Sequence, residues 1–123
     1  MILLDTHALV WLSEGLPALG KQARKIADQA LAEDGLAVSA ISFWEIALLH
    51  QKERITLTQG VSSWRKQLVE FGLHELPVDG EIGIAATTLA DFHADPADRF
   101  ITATALILGA SLLTADTRIL QWT

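Results

Sequence analysis

The chain has 123 residues, half of them apolar, which is the length of one domain and enough to build a core. Nine Lys and Arg stand against fifteen Asp and Glu, a net charge of −6, so nucleic acid is not held here by charge alone. The absence of cysteine excludes disulfides, thiolate metal sites and a thiol nucleophile, and it fits a reducing compartment.

The N-terminus reads MILLDTHALVWL. It lacks a positive n-region and meets Asp5 almost at once, so it does not read as a signal peptide. ILL (2–4) reads as a strand, and residues 6–14, with Ala8, Leu9, Val10 and Leu12, read as a helix. Residues 21–33 place Ala23, Ile26, Ala27, Ala30 and Leu31 on one side of a second helix. LAVSA (36–40) predicts the next strand, and residues 42–51 a helix holding Phe43, Ile46, Ala47 and Leu49. Val61, Trp64, Leu68 and Phe71 recur at helical spacing over 61–71, and LHELPV (73–78) is a third strand. Helices over 80–90 and 97–108 follow, the latter apolar almost all round and ending at Gly109, before the last strand ASLLT (110–114). The longest uncharged run, between Arg99 and Asp116, is short of the ~20 apolar residues of a membrane span. A soluble cytoplasmic protein without a membrane segment is expected.

The first, second and fourth strand segments do not alternate apolar with polar, a pattern suited to strands buried on both faces of a parallel sheet. Strand and helix alternate, so the expected class is α/β, one domain over 1–123, with a mainly parallel sheet covered on both sides. Strand order cannot be read from this pattern.

Four acids fall at telling places on that map. Asp5 directly follows the first strand, Glu45 opens the helix after the second, Asp98 opens the helix 97–108, and Asp116 follows the last strand in LLTADTRI. Ligands of open α/β sheets bind at the carboxyl edge of the strands. Each acid also has a local explanation. Ser42-Phe-Trp-Glu45 matches a capping box, and Asp95-Pro-Ala-Asp98 reads as N-cap, N1 and N3 of a helix. Asp5 and Asp116 suit helix caps. Capping accounts for acids at helix starts but not for so many starts at one edge. Converging carboxylates raise each other's pKa and repel, a conflict that a hard ion such as Mg²⁺ or Mn²⁺ resolves. His7, His50, His74 and His93 show no metal-ligand spacing, and no Gly-rich phosphate loop or G-x-S-x-G motif is present.

MILLDTHALVWL, SAISFWEIALL, DPADRFITATAL and LLTADTRI, taken together and in this order, resemble the four signature segments of PIN domains. They are similar in particular to the VapC-type ribonuclease toxins of bacterial toxin–antitoxin pairs. The resemblance implies a three-layer α/β/α sandwich and a Mg²⁺- or Mn²⁺-dependent endoribonuclease. It carries the family's acids onto Asp5, Glu45, Asp98 and Asp116 as metal ligands and catalytic residues. Thr6 and Thr114 are the hydroxyls beside the first and fourth acids, and Ser39 is a further pocket-lining hydroxyl; for all three the alternative is local turn and cap bonding. Arg99, beside Asp98, pairs with that acid or touches phosphate, the ion pair being favoured. The resemblance also implies products with a 5′-phosphate and a 3′-hydroxyl, a small VapB-like antitoxin as partner, RNA as substrate, and a homodimer. Trp11 and Trp44 flank Asp5 and Glu45 in sequence, either as groove or as core, and Trp64 lies beside Arg65 and Lys66.

Two other readings stay open on the residues. A Mg²⁺-dependent phosphatase or phosphotransfer domain uses a similar acidic pocket, though it usually wants Asp-x-Asp after the first strand, where this chain has Asp5-Thr6-His7. A non-catalytic PIN-like binding module would not need all four acids.

Overall fold

The computed structural model describes residues 1–89 and 95–114. In chain order these form β1 (Ile2–Leu4), α1 (Thr6–Ser13), a short 3-10 turn (Pro17–Leu19), α2 (Lys21–Ala32), β2 (Leu36–Ser39), α3 (Ala40–Gln51), α4 (Val61–Glu70), β3 (His74–Leu76), α5 (Gly80–Thr87), α6 (Pro96–Leu108) and β4 (Ser111–Leu113). Every strand and helix expected within the described residues is present, with ends moved by up to three residues, and the helix start expected at Asp116 lies outside them. The 3-10 turn was not expected.

The four strands form one parallel sheet in the order β3-β2-β1-β4. Leu3 pairs with Ala37 on one side and Leu112 on the other, and Leu4 pairs with Val38 and Leu113. Because successive strand residues face opposite ways, each pairing row goes to a different layer. Leu4 and Val38 pack with Leu9 of α1, Ala27 of α2, Phe43 and Ile46 of α3 and Trp64 of α4. Leu3 and Ala37 pack with Ile101 and Ala105 of α6. α5 lies on α6 through Ile82 and Ala86 against Ala103. The result is a three-layer α/β/α sandwich, and the double coverage explains why the central strands are apolar up to Ser39 at the end of β2.

Trp64 belongs to the core, 3% exposed, with its ring edge-on to Phe43 at 5.8 Å. Trp44 is 56% exposed, and Trp11 is half-buried at the margin of the core.

One local expectation is overturned. α3 begins at Ala40, with Ser39 as its N-cap accepting the Ile41 N–H at 3.2 Å. Ser42 therefore lies inside the first turn and Glu45 in the second, so no Ser42–Glu45 capping box forms. The reason is that β2 passes into α3 without a loop. The last strand residue already has the extended backbone a cap requires, and its hydroxyl serves. The other caps match expectation. Asp5 caps α1, and Asp95 caps α6 by accepting the Asp98 N–H at 3.3 Å, with Pro96 in the first helical position. Gly109, at φ +64°, ends α6 in the left-handed conformation that glycine adopts without a Cβ penalty.

On α6 the hydroxyl of Thr102 is buried and has no hydrogen-bond partner among the described residues. Thr104, two residues on, donates to the Phe100 carbonyl at 2.7 Å. A buried hydroxyl left unpaired is a net cost, so Thr102→Val should stabilise the protein by about 1 kcal/mol. The check is a urea titration, in which the midpoint should rise with an unchanged slope.

Candidate active site

The strand order reverses beside β1. The chain steps outward from β1 to β2 to β3 and then returns to place β4 on β1's other side. The crevice outside the carboxyl ends of β1 and β4 is thus a topological switch point, where α/β sheets open to a ligand. Asp5 sits in it, immediately past β1 and only 4% exposed. Its N–H donates to the Leu113 carbonyl of β4 at 3.2 Å. One carboxylate oxygen, Oδ1, accepts the Ala8 N–H at 2.8 Å, and the other, Oδ2, accepts the hydroxyl of Thr114. Both oxygens are oriented by these donors.

α3 starts at the same edge, and α6 points its N-terminus there because it runs back to the start of β4. Asp98 occupies the first turn of α6 and is 9% exposed. Glu45, in the second turn of α3, is half-buried. The Thr6 hydroxyl is bonded to that of Ser42, with the oxygens 3.1 Å apart, and also reaches the Glu45 carboxylate. Thr6 and Ser42 together therefore join the start of α1 to the first turns of α3. Ser39 is fully buried and engaged as the α3 cap. Arg99 donates from Nη1 to the Ala86 carbonyl at 2.8 Å, which anchors α6 to α5.

The Glu45 carboxyl is pushed above its ordinary value, first by burial; the Thr6 hydroxyl opposes this, Asp95 adds to it, His7 opposes it and Asp5 adds to it. Two carboxylates thus act on a third, which is the conflict a bound cation would offset. The donors of this edge are hard oxygens, suited to Mg²⁺ or Mn²⁺ rather than to a soft metal. Among the described residues, no three His, Asp or Glu side chains stand together at metal-holding distance. Asp116, the fourth expected ligand, lies outside the described residues. Of the expected ligands, Asp5, Glu45 and Asp98 lie on elements that start at this edge within the described residues.

A family model described as PIN domain matches residues 2–122. The chain belongs to the PIN domain family. Among the curated relatives of this PIN domain is Ribonuclease VapC22 of Mycobacterium tuberculosis, 41% identical over 121 residues, covering 96% of this chain and 88% of that protein. Among solved structures, a toxin–antitoxin complex from Klebsiella pneumoniae superposes with a TM-score of 0.61 at 21% identity, covering 95% of this chain and 88% of that one. The structure of FitAB bound to an IR36 DNA fragment gives 0.65 at 23% identity, with coverage of 95% and 86%. At these identities the two structures speak for the fold, and both agree with the three-layer sandwich.

Around Asp5 and Glu45 the structure adds residues that the sequence did not assign. Asp95, expected only as a cap, is close enough to Glu45 to disfavour its ionised form. Ser42, read as a cap, instead bonds Thr6. His7 is exposed, near enough to Glu45 to favour its charge, with its ring 5.9 Å from that of Trp11. The spacing of His7 and Trp11, four apart on one helix, was the available signal.

The Glu45 shift sets the sign of a pH effect. A carboxyl whose folded pKa is raised favours folding below the unfolded value, and that contribution is lost as pH rises through the folded one. Without added metal, Glu45→Gln should therefore be more stable than the parent at pH 7. The difference should shrink as pH falls below the carboxylate range, as read from urea midpoints at several pH values.

Proposed function

We propose that this chain is the toxin of a VapBC-type toxin–antitoxin pair, a Mg²⁺- or Mn²⁺-dependent endoribonuclease built as one PIN domain. The observation that carries the reading is the buried carboxylate of Asp5 inside the β1–β4 crevice, at the carboxyl edge of a parallel sheet and within electrostatic reach of Glu45. The ribonuclease name of the curated relative at 41% identity supports it. A toxin–antitoxin complex among the structural neighbours is in keeping with an antitoxin partner.

Asp5, Glu45 and Asp98 would hold the ion, with Asp116 as the fourth acid. When bound, it supplies a water of lowered pKa and positive charge for the phosphoryl oxygens. The chain's own part is orientation. The Ala8 N–H and the Thr114 hydroxyl fix both oxygens of Asp5, the Asp95 cap fixes where α6 begins and so where Asp98 stands, and Thr6 holds Glu45. Cleavage in this reading leaves a 5′-phosphate and a 3′-hydroxyl.

Large apolar side chains on the surface, Trp44, Ile84, Leu106 and Leu108, support an antitoxin or homodimer contact. No helix among the described residues is long and apolar enough to cross a membrane, in keeping with action in the cytoplasm.

Asp98→Asn and Asp5→Ala should each lower RNA cleavage by about a hundredfold or more. Asp98→Asn, which keeps size and shape, should retain the parental circular dichroism spectrum. Cleavage by either variant at the parental rate would remove the assignment. Chelation by EDTA should silence the parent, and added Mn²⁺ or Mg²⁺ should restore it; activity that survives chelation would remove the metal from the reading.

A further inference from the structure

α1 and α3 carry no lysine or arginine, and Arg99, the one cation of α6, donates to the Ala86 carbonyl of α5 at 2.8 Å. Any RNA strand drawn to the acid edge meets a group of carboxylates on a chain of net charge −6. Several described cations are engaged or placed elsewhere. Arg24 donates to the carbonyls of Trp11, Leu12 and Leu16 at 3.3–3.4 Å, Arg65 pairs with Glu75 at 2.6 Å, and Lys52 and Arg54 follow the far end of α3. A bound ion would offset charge at the scissile phosphate, but it would not grip the neighbouring nucleotides. A single strand can also be held by its bases, because stacking on an aromatic ring needs no charge and tolerates any sequence.

α1 presents such a ring. His7 is exposed, whereas Thr6 and Ala8 on either side of it are buried. One turn further along, Trp11 approaches the imidazole with ring centroids 5.9 Å apart and planes inclined at 49°. Trp11 is itself anchored, packing on the core margin while its carbonyl accepts Arg24 Nη2 at 3.3 Å. The imidazole is thus backed on one side by a fixed indole and open to solvent on another. It lies two residues from Asp5 and within electrostatic reach of Glu45, at the margin of the acid site.

We propose that His7, propped by Trp11, is a stacking platform for a nucleobase of single-stranded RNA next to the scissile phosphate. The proposal rests on the ribonuclease reading and adds a positioning residue to it. A flat ring with few rotamers loses little conformational entropy when a base settles on it. Stacking alone predicts an effect on binding rather than on the chemical step.

The test uses the full chain and short single-stranded RNAs of mixed sequence carrying the fluorescent base 2-aminopurine. Binding is measured in the Asp98→Asn background to prevent turnover, and cleavage kinetics in the otherwise parental chain. His7→Ala should weaken binding about tenfold, abolish quenching of the probe and raise KM to a similar extent with kcat kept. His7→Phe, which keeps a stacking face and loses the ring nitrogens, should restore affinity, quenching and KM. The platform is overturned if His7→Ala binds RNA like the parent, if the loss falls in kcat, or if His7→Phe behaves like His7→Ala. Cleavage by the parent with a silent His7→Ala removes the platform alone. A parent that cleaves no RNA removes the ribonuclease reading and the platform with it.

Discussion

The carboxylate of Asp5 ties three elements together at one point. Its backbone continues β1 into the β4 hydrogen-bond ladder through the Leu113 carbonyl. Its Oδ1 caps α1, and its Oδ2 takes the Thr114 hydroxyl from the end of β4. The residue is almost wholly removed from water, so leaving these acceptors unpaired would cost far more than a surface bond is worth. A buried, doubly satisfied carboxylate at the β1–β4 crevice explains both why α1 starts where it does and why an acid faces the one gap the strand order leaves.

The other acids are supported to different degrees. Asp95 and Asp98 stand at the start of α6, where backbone N–H groups and the helix dipole favour negative charge. Glu45 lacks that support. Because α3 starts at Ala40, Glu45 falls in the second turn, where the influence of the helix end has faded. It meets burial and two neighbouring carboxylates, with the Thr6 hydroxyl and His7 opposing them. The acid edge therefore stores an electrostatic conflict centred on α3, of the kind that a bound cation would relieve.

Much of the architecture was legible because it rests on local rules. Trp64 and Leu68 recur at helical spacing on α4, and one faces the core while the other packs at its margin. Asp95-Pro96 predicted the start of α6, since a short acceptor followed by a residue without an N–H is what a helix N-terminus accommodates. The misread start of α3 has the same origin. Both Ser39 and Ser42 can cap, and only the direct passage from β2 into α3 selects the first. Trp44 and Trp64 show the limit of composition. Both are tryptophans on helices, yet one is solvent-exposed and the other is core, because exposure depends on which neighbour covers the face.

By itself the sequence determined the α/β class, the helices, the caps of α1 and α6, and the positions of the acids along the chain, since hydrophobic period and cap chemistry act within a few residues. Only the tertiary structure decided the order β3-β2-β1-β4, and with it the crevice in which Asp5 and Thr114 meet across more than a hundred residues of chain. It also decided that Asp95 and His7 lie near Glu45 and that Ser42 binds Thr6. Those contacts join segments far apart in sequence. Parallel strand pairing and layer packing bring them together, and no local pattern encodes either.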